Sequence, residues 1–108
     1  MAVPEAQVEN ALDLLAGVGP VTVRKMFGGV GFYAEGTIFA VLMSDGTLRL
    51  KGAGEMVGVL DAAGWDRWTY TREGRSGATA MPYWRVPDAL LDDPDAVSDW
   101  ARRALAAL

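Results

Sequence analysis

A tight-turn signal between two strand-like segments constrains the fold of this chain more than any other feature. Residues 37–43 form a continuous apolar run, which is typical of a central β-strand. An Asp45-Gly46 pair follows, and this pair favours a short hairpin turn. The next segment alternates between apolar and basic residues, with Leu48 and Leu50 expected to face the core. The two segments therefore predict an antiparallel hairpin.

Further strand patterns lie on both sides of this hairpin. A β-branched and aromatic segment begins at Val21 and is interrupted by glycines before Phe32 and Tyr33. Glycines inside a strand predict a bulge or a close backbone approach. Two more strand-like segments cover residues 68–72 and 78–85, with a turn between them. We therefore predict five strands.

Three other segments have helical periodicity. The first follows Pro4 and ends before Gly17, and the second covers residues 56–63. The third is expected to begin at Pro94, with Asp93 as its N-cap. The predicted order is α-β-β-β-α-β-β-α, and the short turns between strands favour antiparallel pairing. The predicted fold class is α+β in two layers, with a five-stranded antiparallel sheet and the helices on one face.

The composition excludes several kinds of chemistry. The 108 residues suit one domain, and we expect residues 1–108 to form it. The chain has no cysteine and no histidine, so the commonest general base and metal ligand are missing, and no histidine can activate a serine. We expect no enzyme activity, no cofactor and no metal site. The absence of cysteine and of an apolar run of about 20 residues favours a cytoplasmic protein that does not enter membranes.

The charges are unevenly distributed along the chain. The net charge of −4 disfavours nucleic-acid binding, which needs several Lys or Arg side chains on phosphates. Five aspartates lie between residues 88 and 99, whereas the segment 65–85 carries four arginines and two acids. A positive face can therefore form on this acidic protein. The aspartates around Pro94 could hold a hard cation, but the missing glycine turn favours helix capping instead.

Four segments together resemble one known family. They are Arg24-Lys25-Met26-Phe27-Gly28-Gly29-Val30-Gly31-Phe32-Tyr33, Phe39-Ala40, Leu48-Arg49-Leu50-Lys51 and Tyr83-Trp84-Arg85-Val86-Pro87. This combination resembles the TfoX N-terminal domain family, also called the Sxy family, from about Val21 to the last helix.

The resemblance implies a fold and a biological setting. It implies a two-layer α+β sandwich, in agreement with the element order above, and a link to transcriptional regulation or to natural competence for DNA uptake. The excess of Arg over Lys, with many Ala, Gly and Asp residues, favours a bacterial source. Full-length members carry a second, helical C-terminal domain, and the length of this chain leads us to expect a standalone N-terminal domain. The family provides no catalytic residues to transfer.

The glycine segment is the first candidate site. Gly28, Gly29 and Gly31 could aim backbone N–H groups at an anion, with Arg24 and Lys25 supplying charge. A nucleotide fingerprint needs a helix after its glycines, and here another strand follows. The alternative is a bulged, twisted strand that lets a helix or a second chain approach closely.

An aromatic cluster with interleaved arginines is the second candidate. It comprises Trp65, Trp68, Tyr70, Tyr83 and Trp84, with Arg67, Arg72, Arg75 and Arg85 among them. Such platforms can stack single-stranded bases. The alternative is that half of the rings pack in the core while the arginines cover the solvated face of the sheet with occasional cation–π contacts.

We expect a non-enzymatic regulatory domain that contacts another protein and forms a homodimer. Because the helices are predicted on one face, the other face needs a partner for any apolar side chain there, and Phe32, Tyr33, Trp84 and Val86 are candidates. The predicted binding surface is Arg24, Lys25, Phe27, Gly28, Gly29, Gly31, Tyr33, Tyr83, Trp84 and Arg85.

Two alternatives remain open. The first is a nucleic-acid-binding module that uses a basic and aromatic sheet face, through Arg24, Lys25, Arg49, Lys51, Arg72 and Arg85. The second is a pocket for a small anionic ligand at the Gly28–Gly31 segment.

Overall fold

The structure is a computed structural model that describes residues 3–26, 28–71 and 78–108. These residues form α-helices and β-strands joined by short connections, with one 3-10 turn after the first helix and another before the last. The helices are α1 (Glu5–Leu14), α2 (Glu55–Ala62) and α3 (Pro94–Ala106). The strands are β1 (Thr22–Met26), β2 (Gly29–Ala34), β3 (Thr37–Met43), β4 (Leu48–Lys51), β5 (Arg67–Thr71) and β6 (Ala78–Arg85).

The strands of the described residues form one antiparallel sheet in the order β1-β2-β3-β4-β6-β5. The sheet therefore has six strands, and the prediction of five was wrong. The glycine-interrupted segment is two strands, because β1 ends at Met26 and Met26 pairs with Gly29 at the start of β2. Gly28 has a φ of 82°, a left-handed conformation that glycine adopts without strain and that reverses the chain.

The core lies between one face of the sheet and the helices, as predicted. Alternate residues of β2 and β4 point into it, as do Phe39, Ala40 and Leu42 of β3, where the pairing with β2 shifts register. All three described helices contribute side chains to the same cluster. The largest side chains of this core that are less than 2 % exposed are those of Leu15, Phe32, Phe39, Leu50, Leu60, Trp84, Val86 and Val97. The α+β class, the antiparallel sheet and the placement of the helices are confirmed.

Local signals located several element ends correctly. Asp93 caps α3, because its Oδ1 atom accepts a 3.1 Å hydrogen bond from the Ala96 N–H, and Pro94 is the first helical residue. The Asp45-Gly46 turn is also present, with Gly46 at a φ of 86° and the Asp45 carboxylate accepting from the Thr47 N–H at 2.9 Å. These side chains satisfy backbone donors that the element ends leave unpaired.

One buried polar contact that the sequence did not indicate joins α3 to the end of α1. The Ser98 hydroxyl donates to the Leu14 carbonyl at 2.8 Å and accepts from the Gly17 N–H at 3.0 Å. A Cβ atom at Gly17 would lie 2.7 Å from the Ser98 Cβ, so the close approach requires glycine. Arg102 donates to the Gly17 carbonyl at 2.9 Å from the adjacent turn of α3. Ser98 therefore has a structural role.

We predict that Ser98→Ala destabilises the protein by about 1–3 kcal/mol, because it leaves a donor and an acceptor unpaired near the core. Urea unfolding followed by circular dichroism measures the change. Ser44→Ala, at an exposed turn position, is the control and should change the free energy of unfolding by less than about 0.5 kcal/mol. Equal midpoints for the two variants would contradict the role assigned to Ser98.

Candidate interaction surface

The side of the sheet opposite the helices carries a row of arginines. Cross-strand partners place Arg24 beside Gly31, Gly31 beside Val41, Val41 beside Arg49, and Arg49 beside Arg85, so the row crosses five strands. Val41 is 1 % exposed but lies outside the core cluster, which identifies this row as the opposite side of the sheet. We call it the helix-free face, and it comprises this row with Tyr33, Lys51, Trp68 and Tyr83.

Two arginines of this face stack on aromatic rings. The Arg49 Cζ atom lies 4.9 Å from the centroid of the Trp68 ring, and the Arg24 Cζ atom lies 5.6 Å from that of Tyr33. The Trp68 ring also packs against the Tyr83 ring, with a centroid separation of 6.2 Å. These distances fall in the range of cation–π and aromatic attraction. The face therefore presents half-buried rings, and contacts with these rings hold the arginine side chains in place.

The glycines of β2 shape this face. A Cβ atom at Gly31 would lie 3.1 Å from the Ile38 Cδ1 and Tyr33 Cε1 atoms and 3.3 Å from the Met26 sulfur, so those side chains lean over Gly31. A Cβ atom at Gly29 would lie 2.5 Å from the Leu42 carbonyl oxygen, which indicates a close approach of β3. Both glycines lie inside a strand that is paired on both sides, so this geometry does not support an anion site made of their N–H groups.

The expectation that Phe32, Trp84 and Val86 lie on the helix-free face was wrong. They are 0 %, 0 % and 1 % exposed, and all three belong to the core cluster. The alternation of side chains permits either face, and burial of these large apolar groups against the helices decides it. Among the four candidates for that face, Tyr33 alone lies there. Trp84 is therefore not part of an exposed binding surface.

The aromatic cluster divides between the two faces. Trp65 and Trp84 are buried, Trp68 and Tyr83 lie half-buried on the helix-free face, and Arg67 stacks on Trp84 at 4.5 Å. Of the four rings that the structure describes, two pack in the core, in agreement with the interpretation that half of the rings do so.

Several residues of the predicted binding surface do not lie on the helix-free face or are not described by the structure. Lys25 lies at the outer edge of β1 on the helix side, because it pairs with buried Val30. Gly28 lies in the turn before β2. Phe27, Arg72, Arg75 and the turn at 73–77 lie outside the described residues, as does the side chain of Tyr70.

Arg49 differs electrostatically from the other arginines of the face. Burial lowers the pKa of its guanidinium from the ordinary value, and the nearby Asp45 carboxylate opposes that shift. Among the described residues, Arg85 forms a 3.1 Å ion pair with Asp88, whereas Arg49 makes no ion pair within 4.0 Å. Arg49 is thus a partly desolvated cation whose directly opposite neighbour on β6 carries the same charge. The sequence did not single out Arg49 from the other arginines of the face.

The acidic side chains of the described residues serve roles other than metal binding. Within the described residues, no group of three or more Asp, Glu, His or Cys side chains is placed to hold a metal ion. Of the acids proposed for a cation site, Asp93 caps α3 and Asp99 pairs with Arg102 at 3.4 Å. Among the helices described, none is both long and apolar enough to cross a membrane.

The sequence model for the TfoX N-terminal domain matches residues 13–108, a range that includes the six described strands and the whole helix-free face. The chain belongs to the TfoX N-terminal domain family. Membership of this family suggests a regulatory or competence-related domain. A comparison with curated proteins gives no match.

The Tyr83 phenol in this TfoX-type domain reports the environment of the face. Burial raises its pKa above the ordinary value of 10.0, and the nearby Tyr33 adds to the shift. Since the protonated phenol is favoured in the folded state, its contribution to stability is complete below pH 10 and is lost as the pH rises through the raised pKa.

We predict that ultraviolet titration of the tyrosines, with the Tyr83→Phe curve subtracted, gives a pKa above 10.0 for Tyr83. Replacing Trp68 with Ala removes the ring that covers Tyr83 and should move this pKa back towards the ordinary value. A Tyr83 pKa at or below 10.0 in the folded protein would contradict the burial described for this face.

Proposed function

We propose that this chain is a non-enzymatic regulatory domain that binds a partner protein through the helix-free face of its sheet. The observation that carries the proposal is the Arg49–Trp68 pair, in which a partly desolvated arginine without an ion pair in the described residues lies 4.9 Å from a half-buried ring. The process suggested by the family is regulation of competence in a bacterial cytoplasm.

The composition of the face supports a protein partner. Arginine and aromatic residues are enriched among the residues that contribute most to binding in protein interfaces, and here they occupy neighbouring strands. Arg24 and Arg49 are held against rings before any partner arrives, which reduces the ordering cost of association.

The electrostatics of Arg49 indicate what the partner would provide. A guanidinium that has lost part of its hydration gains most from a carboxylate, which can accept two parallel hydrogen bonds from it. Arg85 lies directly opposite Arg49 on β6 and carries the same positive charge, so a negative group that binds beside Arg49 is attracted to both. A carboxylate-bearing surface on the partner would therefore bind over Arg49 and Trp68.

We predict that a photo-crosslinking residue at Lys51, on the helix-free face, forms a discrete adduct with a partner in cells, and that Arg49→Glu abolishes this adduct. The matched control is Arg103→Glu, because Arg103 also stacks on an indole, at 4.6 Å from Trp100, but on the exposed side of α3. Both variants make the same charge change, so only loss specific to Arg49→Glu supports the proposal.

Two results would count against this assignment. Adducts that form from a crosslinker at Arg103 and not from one at Lys51 would place the interface on the helices. Adducts that survive Arg49→Glu in a variant with an unchanged unfolding midpoint would remove Arg49 from the interface. Light scattering would identify a second copy of the chain as the partner if the wild type has twice the monomer mass and Arg49→Glu has the monomer mass.

Nucleic-acid binding is a second candidate function, because the Arg49–Trp68–Tyr83 contacts place a cation and two rings side by side. Single-stranded bases stack on such rings while arginines contact phosphates. The net charge of −4 opposes this mode.

Fluorescence anisotropy with a labelled oligothymidine tests this second function. Phosphate contacts through the face require affinity to fall with salt, with a log–log slope of about −0.7 per contact, and require loss in Arg49→Glu but not in Arg103→Glu. No binding at low salt would exclude this function.

A further inference from the structure

The first strand is an exposed edge of the sheet. β1 pairs with β2 on one side only, and all five of its residues are exposed. Val23 and Met26 are 37 % and 41 % exposed, so two of the few large apolar side chains exposed in the described residues lie on this short strand. An edge strand with unpaired backbone groups is a template for another strand.

The hydrogen-bond pattern shows which backbone groups of β1 point outward. The Ser44 N–H donates to the Gly28 carbonyl at 2.9 Å, and these residues flank the Gly29–Met43 pair. This arrangement makes Gly29 and Met43 a non-hydrogen-bonded pair, so the backbone groups of Gly29 point away from β3 and towards β1.

Alternation along the strands extends this assignment to the edge. Gly29 and Gly31 direct their backbone groups at their β1 partners, Met26 and Arg24. The intervening Val23 therefore directs its N–H and C=O outward, as does Lys25. These backbone groups at the open edge are positioned to form the ladder of an additional antiparallel or parallel strand.

A groove runs beside this edge between β1 and α1. It has a volume of about 420 Å³ and is lined mainly by apolar side chains, among them Val3, Val8, Val23 and Val30. Lys25 and Glu5 also line it. A strand added to β1 would direct alternate side chains into this groove and the others onto the helix-free face, beside Arg24.

The charges of β1 distinguish between two occupants. A second copy of this chain, paired antiparallel about the centre of β1, would bring Arg24 opposite its own equivalent, and like charges directly opposite each other are destabilising. Neither Arg24 nor Lys25 makes an ion pair with a described acid. A segment that places carboxylates on the helix-free side of the edge, next to Arg24, would instead be attracted to it.

We propose that β1 binds an extended segment of a partner protein as an additional strand, and that this segment alternates apolar and acidic residues. Its backbone pairs with Val23 and Lys25, its apolar side chains enter the groove, and its carboxylates lie beside Arg24. This is binding by β-strand addition, in which main-chain bonds supply affinity and alternate side chains supply specificity. The edge shares Arg24 with the helix-free face, but strand addition does not depend on the function proposed for that face.

The test uses a fluorescein-labelled peptide of eight residues that alternates valine and glutamate, with a valine–lysine peptide as the charge control. Val23→Pro removes the outward N–H without touching the bonds to β2, and edge strands tolerate proline. Val23→Ala shortens the side chain and keeps the N–H. We expect the acidic peptide to bind the wild type, Val23→Pro to weaken binding by about tenfold or more, and Val23→Ala to weaken it less.

Other results of the peptide experiment would overturn the proposal or change the occupant of the edge. Equal binding of the two peptides, or no binding of the acidic one, would overturn the proposal. An unchanged affinity in folded Val23→Pro would overturn it too, and a wild-type dimer that Val23→Pro dissociates would assign the edge to a second copy.

If Val23→Pro does not fold, two N-methylated forms of the acidic peptide replace it, one methylated at the odd-numbered and one at the even-numbered backbone nitrogens. Only one of these two sets of N–H groups faces β1, so only one of the two forms should fail to bind. Equal binding of the two methylated peptides would overturn strand addition. Arg49→Glu should leave the affinity of the acidic peptide within about twofold of the wild type, because Arg49 lies three strands away from β1. Failure of the edge proposal is therefore distinguishable from failure of the proposed function.

Discussion

Burial of the Trp84 indole is the interaction on which the rest of the structure depends. The ring is completely buried, and its N–H donates to an Asp61 carboxylate oxygen at 2.8 Å, which ties β6 to α2. A Cβ atom at Gly52 would lie 2.8 Å from the ring, so the chain leaving β4 packs directly on it. Because strand side chains alternate, burial of this residue directs its neighbours Tyr83 and Arg85 to the helix-free face. The candidate surface is thus a consequence of how the core is filled.

Net charge is a poor guide to this surface. The protein carries a formal charge of −4, yet cross-strand register brings Arg24, Arg49 and Arg85 into one row. Asp93 and Asp95 lie at the start of α3, where they stabilise the N-terminus of the helix. The fold therefore separates acids required for helix formation from cations on the sheet. This separation allows an acidic domain to present a row of cations on one face of its sheet.

Local signals predicted much of the fold, and the errors come from contacts between distant segments. The Asp45-Gly46 turn and the Asp93 cap act within a few residues, so the sequence alone located them. The sequence predicted a bulge or a close approach at the glycines and missed the chain reversal there, because periodicity does not reveal the pairing of Met26 with Gly29. The contact of Ser98 with the end of α1 spans 84 residues and had no local signal. For the site, residue type indicated arginines and aromatics, but only register showed which ones share a face.

Hydroxyl-radical footprinting of the isolated chain at low concentration tests most directly whether the helix-free face is an open surface. The half-buried rings of Trp68, Tyr33 and Tyr83 should be oxidised much faster than the buried rings of Trp84 and Phe32, since radicals reach solvent-exposed side chains. We expect this order of oxidation rates under native conditions, and we expect the rates to become similar in urea. Oxidation of Trp84 as fast as that of Trp68 in the native protein would contradict it.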